Sequence, residues 1–240
     1  MLMIRQEIQG AMAPNSGPAL VVIDPFDPDR LDANSYDVSL GAWYYRTRPP
    51  NLGTRVYNPY CEDGVRKLWG EPQQAMSAEV EFKNHNLSIP QGIHTDDRVI
   101  IVSPLETILC HTEEFIGGVF CVAGWMQGKS GWSRSFISVC MDAGLGDIGY
   151  VNRWTMEVTN RHPDYAVPLV VGRPIAKIAF LQSRNWLDPK DFYSGSYQEG
   201  VQYQGQFGQG QDSMDVEEIK RRWTPENMLP RLYKGTVKAR

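Results

Sequence analysis

The chain has 240 residues, of which 42% are hydrophobic and 11% aromatic, and its formal net charge is −4 at pH 7. This length and composition are typical of one large folded domain or of a domain with appendages. The acidic balance argues against non-specific nucleic-acid binding, but it leaves room for a local basic pocket that takes one small phosphate group.

The location of the protein is predicted from what the sequence lacks. Its apolar runs are far shorter than the roughly 20 residues that a membrane-spanning helix requires. The first residues, MLMIRQEIQG, do not have the basic and apolar regions of a signal peptide. The cysteines Cys61, Cys110, Cys121 and Cys140 are widely spaced. We therefore expect a cytoplasmic protein with reduced thiols and no membrane partner.

The N-terminal third mixes clear and unclear patterns. Apolar spacing predicts a short helix over residues 3–12 and a brief strand at 20–23. The alternating segment SYDVSLG predicts a half-buried strand, which AWYYRT continues. Residues 47–80 contain mainly turn sequences, and we interpret them as an insertion too short to hold its own core.

From residue 80 onwards, short strands separated by turns predict an all-β sandwich or barrel. The predicted strands are VEFKNH, VIIVSP, ETILCH, GVFCVAG, RWTMEVT, YAVPLVVG and PIAKIAFLQ. Residues 183–212 are polar and rich in Gly, Gln and Tyr, which predicts a mobile segment with little core. An amphipathic helix is predicted from Met214 to Trp223. The chain therefore divides into a β domain over 1–182 and a tail with a helix over 183–240.

Two common kinds of hydrolytic site find no support in the sequence. The histidines, His85, His94, His111 and His162, are not spaced as zinc ligands, C-x-x-C is absent, and no H-x-E accompanies P-C-x-x-C. The G-x-S-x-G elbow of many serine hydrolases is also missing. The sequence therefore predicts neither a zinc site nor a serine triad.

Residues able to carry chemistry concentrate between Gln127 and Asn160. The segment GKSGWSR (128–134) is not a Walker loop, because G-x-x-x-x-G-K is absent. Its glycine amides and hydroxyls, with the cations Lys129 and Arg134, still suit phosphate oxygens. An ordinary basic surface turn explains the same residues, so both interpretations stay open.

Two acids follow this loop. Asp147 is either a turn-forming residue or the acceptor for a sugar hydroxyl, and Tyr150 beside it can pack on a ring. In WTMEVT, Glu157 shares one strand face with Thr155 and Thr159. This face is either a solvated strand surface or the wall of a site in which a desolvated Glu157 shuttles protons.

Taken together, these segments resemble the dCTP deaminase family, whose members have a dUTPase-like trimeric β fold. The segments that carry the resemblance are SYDVSLG, HTEEFIGG, GKSGWSR, GDIGYVNRWTMEV, VGRPIAKIAF and YQGQFG. GKSGWSR stands where the family has G-R-S-S-x-x-R, and GDIGYVNRWTMEV stands where it has D-x-G-[WYF] and the strand with the catalytic Glu. The resemblance implies a mostly β fold, a distorted β-barrel or jelly roll with a short N-terminal helix and a C-terminal helix.

The resemblance also implies a role for each matching residue. Glu157 would activate a water for attack at C4 of cytosine, without a metal, and Ser130 would hold this water and the amino group of the base. The implied substrate-binding residues are Lys129, Ser130 and Arg134 for the triphosphate, Ala143 for the pyrimidine edge, Asp147 and Tyr150 at the sugar, and Tyr197, Gln202, Tyr203 and Gln206 in the tail. Magnesium is expected on the nucleotide phosphates, and a homotrimer is expected because subunit interfaces complete each site.

The phosphate segment departs from the family pattern. Lys129 replaces the usual Arg, Gly131 replaces a Ser, and Gln202 stands where many members have a phosphate-binding Lys. Three lost or weakened contacts of about 1 kcal/mol or more each would matter for triphosphate binding. A modified or shorter deoxycytidine nucleotide is therefore an alternative substrate.

Three functional hypotheses follow. The first is metal-free deamination of dCTP to dUTP and ammonia in pyrimidine deoxynucleotide metabolism. The second is dUTP pyrophosphatase activity, alone or after deamination, which gives dUMP. The third is a nucleotide-sensing trimer without turnover. Glu157 within RWTMEV favours deamination, because a pure pyrophosphatase needs no acid at that position.

Overall fold

The computed structural model of the protein describes residues 1–15, 17–49, 56–140, 143–198, 202–203 and 213–234, with 202–203 and 213–214 described by their backbone alone. The helices are α1 (Arg5–Met12), α2 (Glu62–Trp69), α3 (Ala78–Asn84), α4 (Ser130–Arg134) and α5 (Val216–Arg222). The strands are β1 (Val21–Asp24), β2 (Tyr36–Arg46), β3 (Gln73–Gln74), β4 (Met76–Ser77), β5 (Arg98–Val102), β6 (Thr107–Gly118), β7 (Val122–Gly128), β8 (Ile137–Val139), β9 (Leu145–Gly146), β10 (Val151–Asn160), β11 (Val167–Val170), β12 (Pro174–Gln182), β13 (Gln202–Tyr203) and β14 (Ser213–Met214).

The main sheet joins nine of the described strands in the order β8-β10-β6-β2-β12-β7-β9, with β1 added to β6 and β3 added to β2. Strand β6 is central: β10 pairs along one of its edges, while β1 and β2 share the other. Strands β7 and β8 stand near opposite ends of this order but contact each other, which shows that the sheet curls round on itself. A Cβ on Gly128 of β7 would lie 3.5 Å from the Cβ of Val139 in β8. We call this meeting line of β7 and β8 the seam.

The curled sheet encloses one large core. Alternate residues of the long strands point into it, as expected for strands with one buried face. Its buried members include Ile8 of α1, Val38 and Leu40 of β2, Ile108 and Ile116 of β6, Met156 and Val158 of β10, and Ile178 and Phe180 of β12. Burying each such side chain stabilises the fold by roughly 1.5–3 kcal/mol. The strands predicted at residues 20–23, 35–46, 99–104, 106–111, 153–159 and 174–182 are confirmed, as is the N-terminal helix.

The predicted alternation of SYDVSLG fails at two positions on its polar face. Ser35 is 4% exposed, and Ser39 is fully buried. The backbone N–H and the hydroxyl of Ser39 donate to the carboxylate of Glu114 at 3.0 and 2.8 Å, and Arg30 pairs with the same carboxylate at 3.3 Å. Burial raises the pKa of Glu114, although the hydrogen bonds from Ser39 oppose this effect. Strand β2 is therefore buried on both faces here, and Ser39 donates hydrogen bonds to the buried carboxylate of Glu114.

The prediction that VEFKNH is a strand is wrong, because these residues belong to α3. Ser77 precedes this helix and accepts a hydrogen bond from the backbone N–H of Val80 at 3.5 Å. Ala78 and Phe82, four residues apart, bury one side of the helix beside Ile101. A short apolar segment fits both periods, and here the cap and the i, i+4 pair select the helix.

Part of the segment 47–80 is also more regular than its turn sequences predict. Val65 and Trp69 of α2 pack against Tyr45 of β2 and Leu109 of β6. Met228 and Leu229, near the C-terminus, complete this cluster. A second hydrophobic layer thus covers the outer face of the main sheet.

The C-terminal helix is confirmed, and it lies on this outer face. Asp215 caps α5 by accepting from the backbone N–H of Glu218 at 2.8 Å. Beyond the helix, the ring of Trp223 lies 4.6 Å from the ring of His111 in β6. Within the described ranges, no helix has the length and apolar content needed to cross a membrane.

Candidate active site

Strand β10 presents Glu157 as the sequence predicts. Trp154, Met156 and Val158 are buried, whereas Glu157 is exposed and Thr155 half-buried. Glu157 pairs with Leu109 of β6 and therefore stands at the border of the outer hydrophobic layer. The strand thus holds a carboxylate at the protein surface, on a backbone that the core fixes.

Strand β8 and the residue after it flank Glu157 on the other edge of β10. Val139 pairs with Val158, and the next residue, Cys140, donates its backbone N–H to the carbonyl oxygen of Glu157 at 3.2 Å. Burial raises the pKa of the Cys140 thiol to about 12, and the charge of Glu157 acts in the same direction. Cys140 is therefore a neutral, buried thiol rather than a nucleophile.

A cavity of about 370 Å³ opens at the seam beside this strand pair. Its size lies within the range of small-molecule sites. The lining residues are Gln127, Gly128, Ser133, Ser138, Val139, Cys140 and Arg161. Because Cys140 both lines the cavity and bonds to Glu157, the cavity adjoins the strand that carries the acid.

The segment GKSGWSR, predicted as a loop, contains the short helix α4. Lys129 precedes this helix, and its ammonium group forms an ion pair with Asp37 of β2. Trp132 anchors the helix by donating its indole N–H to the carbonyl oxygen of Pro174 at 3.0 Å. The Lys129 charge is thus engaged within the protein.

The other predicted residues of this region are open to solvent. Ser130 and Arg134, at the two ends of α4, are exposed, as is Ala143 beyond the seam. None of these three side chains lines the described part of the cavity, whereas their neighbour Ser133 does. The structure therefore brings the phosphate segment to the edge of the cavity.

Asp147 and Tyr150 lie in one tight turn before β10. The backbone N–H of Tyr150 donates to the carbonyl oxygen of Asp147 at 3.0 Å, and Asp147 is exposed. Gly149 is required here, because its φ is +92° and a Cβ would lie 2.6 Å from Phe192. Tyr150 packs edge-on against Trp154 and Tyr193, and burial raises the pKa of its hydroxyl. The ring of Tyr150 thus packs against other aromatic rings of the protein.

In residues 183–198, the described part of the segment that is predicted to be mobile, two side chains are buried. Phe192 and Gln198 are 2% and 3% exposed. Gln198 accepts from the backbone N–H of Val151 at 3.0 Å and donates to the carbonyl oxygen of Gly149 at 3.1 Å. This segment therefore clamps the turn that carries Asp147.

The remaining predicted tail residues are described only in part. The hydroxyl of Tyr197 accepts from the backbone N–H of Arg231 at 3.3 Å, which ties it to the C-terminal segment. Gln202 and Tyr203 form β13, which pairs in parallel with β14. Gln206 lies outside the described residues. Their roles at a nucleotide stay predictions.

Sequence reasoning included the hydroxyl of Ser133 among the groups that suit phosphate, but it missed two polar residues at this site, Ser138 and Arg161. Ser138 was passed over as part of an apolar run, and Arg161 as the first residue after a strand. The one signal for Arg161 is its position directly after Asn160, at the end of the strand that carries Glu157. Within the described ranges, no three His, Cys, Asp or Glu side chains lie together as a metal-binding group.

Comparison with known proteins places this architecture in one family. The model of the dCTP deaminase-like family matches residues 5–183. The enzyme "dCTP deaminase, dUMP-forming" of Methanosphaerula palustris is 26% identical over 189 residues, which are 78% of this chain and 83% of the relative. The enzyme of the same name from Corynebacterium jeikeium is 28% identical over 208 residues, which are 87% of this chain and 94% of the relative.

A solved structure agrees with this result at the level of the fold. The 2′-deoxycytidine 5′-triphosphate deaminase of Agrobacterium tumefaciens superimposes with a TM-score of 0.50 and 16% identity, over 79% of this chain and half of that chain. The predicted fold class, mostly β with short helices near both termini, is confirmed. The match over 5–183 includes β2, α4 and β10, the elements that the sequence resemblance singled out. The chain therefore belongs to the dCTP deaminase-like family.

Proposed function

We propose that this protein deaminates dCTP, with Glu157 as the group that transfers protons. The observation that carries the proposal is the backbone hydrogen bond from the N–H of Cys140 to the carbonyl oxygen of Glu157, because it joins the strand that carries the exposed acid to a residue that lines the cavity. The related enzymes of M. palustris and C. jeikeium are named for the same reaction. The names of these relatives support dCTP as the substrate, and the geometry of β10 supports Glu157 as the proton-transfer group.

The chemistry needs a base and then an acid at one place. Glu157 takes a proton from water while the water oxygen bonds to C4 of cytosine. It gives this proton to N3 of the ring. It then takes the proton of the new C4 hydroxyl and gives it to the exocyclic nitrogen, so that C4 becomes a carbonyl carbon as the C4–N bond breaks and ammonia leaves. One carboxylate performs all of these transfers, so the balance is dCTP and water in, dUTP and ammonia out. Ser130 is assigned to hold the water and the amino group.

The end product favoured by the relatives is dUMP. A second water would attack the α-phosphorus of dUTP, the bond to the bridging oxygen would break, and pyrophosphate would leave. Both named relatives are dUMP-forming enzymes, which supports this step as the sequel to deamination. Release of dUTP as the end product is the alternative.

Magnesium is assigned to the nucleotide phosphates. Among the described residues that line the cavity there is no carboxylate, so these residues offer magnesium no ligand set of their own. Arg134 and the hydroxyl of Ser130 are assigned to the phosphates instead. The steps derived for Glu157 do not use the ion.

A homotrimer completes the proposal. Phe136 and Tyr165, beside the cavity, are 53% and 71% exposed, and both rings contact His162. Such an exposed aromatic group supports burial against another subunit. Light scattering on the purified protein measures the assembly: a mass of three chains supports it, and a monomer contradicts it.

Product analysis tests the reaction. The purified protein is incubated with dCTP and magnesium, and the nucleotides are separated by chromatography. We expect uracil nucleotide and one ammonia per turnover, with dUMP and pyrophosphate if the second step follows. Accumulation of dUTP would limit the activity to deamination, and unchanged dCTP would contradict the proposal.

A further inference from the structure

We propose that Arg231 is a positioning residue of the candidate active site: it holds the turn 196–198, and this turn holds the turn that carries Asp147. Arg231 lies beyond residue 183, where the match to the family ends. The proposal rests on the proposed function for the nucleotide, whose sugar 3′-hydroxyl is assigned to Asp147. It adds a residue that acts through the backbone of other residues rather than by contact with the nucleotide.

Arg231 is a buried arginine with polar partners in the turn 196–198. It is 8% exposed, and long charged side chains are rarely buried so deeply unless they are bonded. One terminal nitrogen of its guanidinium donates to the carbonyl oxygen of Ser196, and the other lies 3.5 Å from the carbonyl oxygen of Glu226. Its backbone N–H donates to the hydroxyl of Tyr197 at 3.3 Å. Arg231 therefore binds the first two residues of this turn.

The segment before Arg231 is itself fixed on the outer face of the main sheet. Met228 and Leu229 are buried in the same hydrophobic cluster as Leu109 of β6. The side-chain oxygen of Asn227 accepts from the backbone N–H of Thr224 at 2.9 Å. These contacts already order the backbone, so the guanidinium of Arg231 loses less conformational freedom when it binds its partners.

The turn that Arg231 holds is bonded in its own right to strand β10. The side-chain nitrogen of Asn152 donates to the carbonyl oxygen of Tyr197 at 3.2 Å. The next residue, Gln198, is hydrogen-bonded to both ends of the turn into β10. A continuous set of hydrogen bonds therefore runs from Arg231 to the turn that carries Asp147, and such a set can couple distant residues.

The charges of Arg231 and Asp147 also act on one hydroxyl group, that of Tyr193. Burial raises the pKa of this hydroxyl, the charge of Asp147 acts in the same direction, and the charge of Arg231 opposes it. The ring of Tyr193 packs edge-on against Tyr150, with the two ring centroids 5.2 Å apart. The guanidinium therefore lies near the turn of Asp147 as well as being bonded to the turn 196–198.

The consequence for the nucleotide follows from the exposure of Asp147. The side chain of Asp147 is exposed, so its placement depends on the backbone of its turn. A small displacement of a positioned group is enough to weaken its contact with a substrate. A loosened turn should therefore weaken the binding of dCTP but not of 2′,3′-dideoxycytidine triphosphate, which has no 3′-hydroxyl for Asp147 to accept from.

Hydrogen exchange tests the hold on the turn independently of any reaction. Exchange of the backbone amides is measured by mass spectrometry on the full-length wild type, Arg231→Met, Arg231→Lys and the control Arg221→Met, which removes an exposed arginine of α5. In Arg231→Met we expect residues 148–152 to exchange about tenfold or more faster, since hydrogen bonds from a charged group are lost, while β2 keeps the wild-type rate. Arg231→Lys keeps the charge without the fork of donors and should lie between wild type and Arg231→Met, and Arg221→Met should match wild type.

Steady-state kinetics of the same variants with the two nucleotides test the link to the sugar. In Arg231→Met we expect KM for dCTP to rise about tenfold, and KM for the dideoxynucleotide and both kcat values to stay within about threefold of wild type. A role in stability alone would raise both KM values equally or neither.

Three results would overturn the inference. They are wild-type exchange of residues 148–152 in both Arg231 variants, exchange that is faster in β2 by the same factor, and an equal change of KM for the two nucleotides. If the wild type deaminates neither nucleotide while exchange in Arg231→Met is faster at residues 148–152 alone, the proposed function is refuted and the hold of Arg231 on the turn is supported.

Discussion

The side-chain oxygen of Gln198 accepts a 3.0 Å hydrogen bond from the backbone N–H of Val151, which lies 47 residues earlier in the chain. Its amide nitrogen donates to the carbonyl oxygen of Gly149, so one buried amide joins both ends of the turn into β10. Gln198 lies beyond residue 183, where the family match ends. The segment after residue 183 is therefore hydrogen-bonded into the family domain, at the turn before β10.

Replacing Gln198 is expected to cost stability. Gln198→Met keeps the length of the side chain but leaves a buried N–H and a buried C=O without their partner. Each such group costs about 1–3 kcal/mol, so we expect the free energy of unfolding to fall by about 2–4 kcal/mol. Urea denaturation measures it, with Gln74→Met on the exposed strand β3 as the matched control. Equal, small changes in both variants would show that the amide does not hold the turn.

Glu157→Gln is expected to abolish deamination without loss of nucleotide binding. The amide is nearly isosteric with the carboxylate but cannot take a proton from water. Acid–base catalysis contributes about 10²–10⁴-fold, so kcat should fall at least a hundredfold, while the Kd for dCTP stays within about threefold. Single-turnover assays measure the rate of deamination, and calorimetry measures the Kd for dCTP. Glu79→Gln, on the exposed side of α3, is the control, and substantial turnover by Glu157→Gln would remove Glu157 from its role.

The contrast between Glu157 and Lys129 shows how far sequence reasoning reaches. The face of Glu157 follows from the alternation of β10, which is a local property, and the structure agrees with it. The engagement of Lys129 depends on Asp37, which is 92 residues away in the sequence and is brought near because β2 and β7 pair with the two edges of β12. Local patterns carry no information on such a pair.

The contacts of Gln198 also depend on residues far away in the sequence. A segment rich in Gly, Gln and Tyr is predicted to be mobile because it offers little apolar surface. Within it, Phe192 packs beside Gly149, and Gln198 is hydrogen-bonded to the backbone of Gly149 and Val151, which composition does not reveal. VEFKNH was misassigned because six residues fit both a strand and a helix, and the cap at Ser77 decides between them.

His111 predicts a loss of stability in acid. Burial lowers its pKa to about 3, and nearby Arg153 adds to this effect. The ring accepts from the backbone N–H of Trp43 at Nε2 and lies 2.8 Å from the carbonyl oxygen of Thr112 at Nδ1, which suits the neutral form. Because the unfolded chain binds this proton at about pH 6.5 and the folded chain does not, stability is lost as the pH falls below that value.

The size of this effect has an upper limit of about 1.4 kcal/mol per pH unit. From pH 6.5 to pH 5 the wild type should therefore lose up to about 2 kcal/mol through this group, a loss that His111→Gln lacks. Glu114, whose pKa is raised, is present in both proteins and cancels in their difference. Urea denaturation at each pH measures the free energy of unfolding of the wild type and of His111→Gln, with His94→Gln, at an exposed histidine, as the control. Parallel pH curves for wild type and His111→Gln would contradict the prediction.

Lys129→Met is expected to change the KM for dCTP by less than about threefold, although the residue stands at the family's phosphate position. Its ammonium group already has Asp37 as a partner, and Lys177 lies 4.0 Å from the other oxygen of that carboxylate. If Lys129 left this pair to bind a phosphate, the largely buried carboxylate of Asp37 would lose its ion-pair partner, and this cost offsets the gain from the new contact. Steady-state kinetics on Lys129→Met and Asp37→Asn measure the effect. Asp37→Asn releases the ammonium group and should lower KM, whereas a tenfold rise of KM in Lys129→Met would show that the lysine leaves Asp37 for the nucleotide.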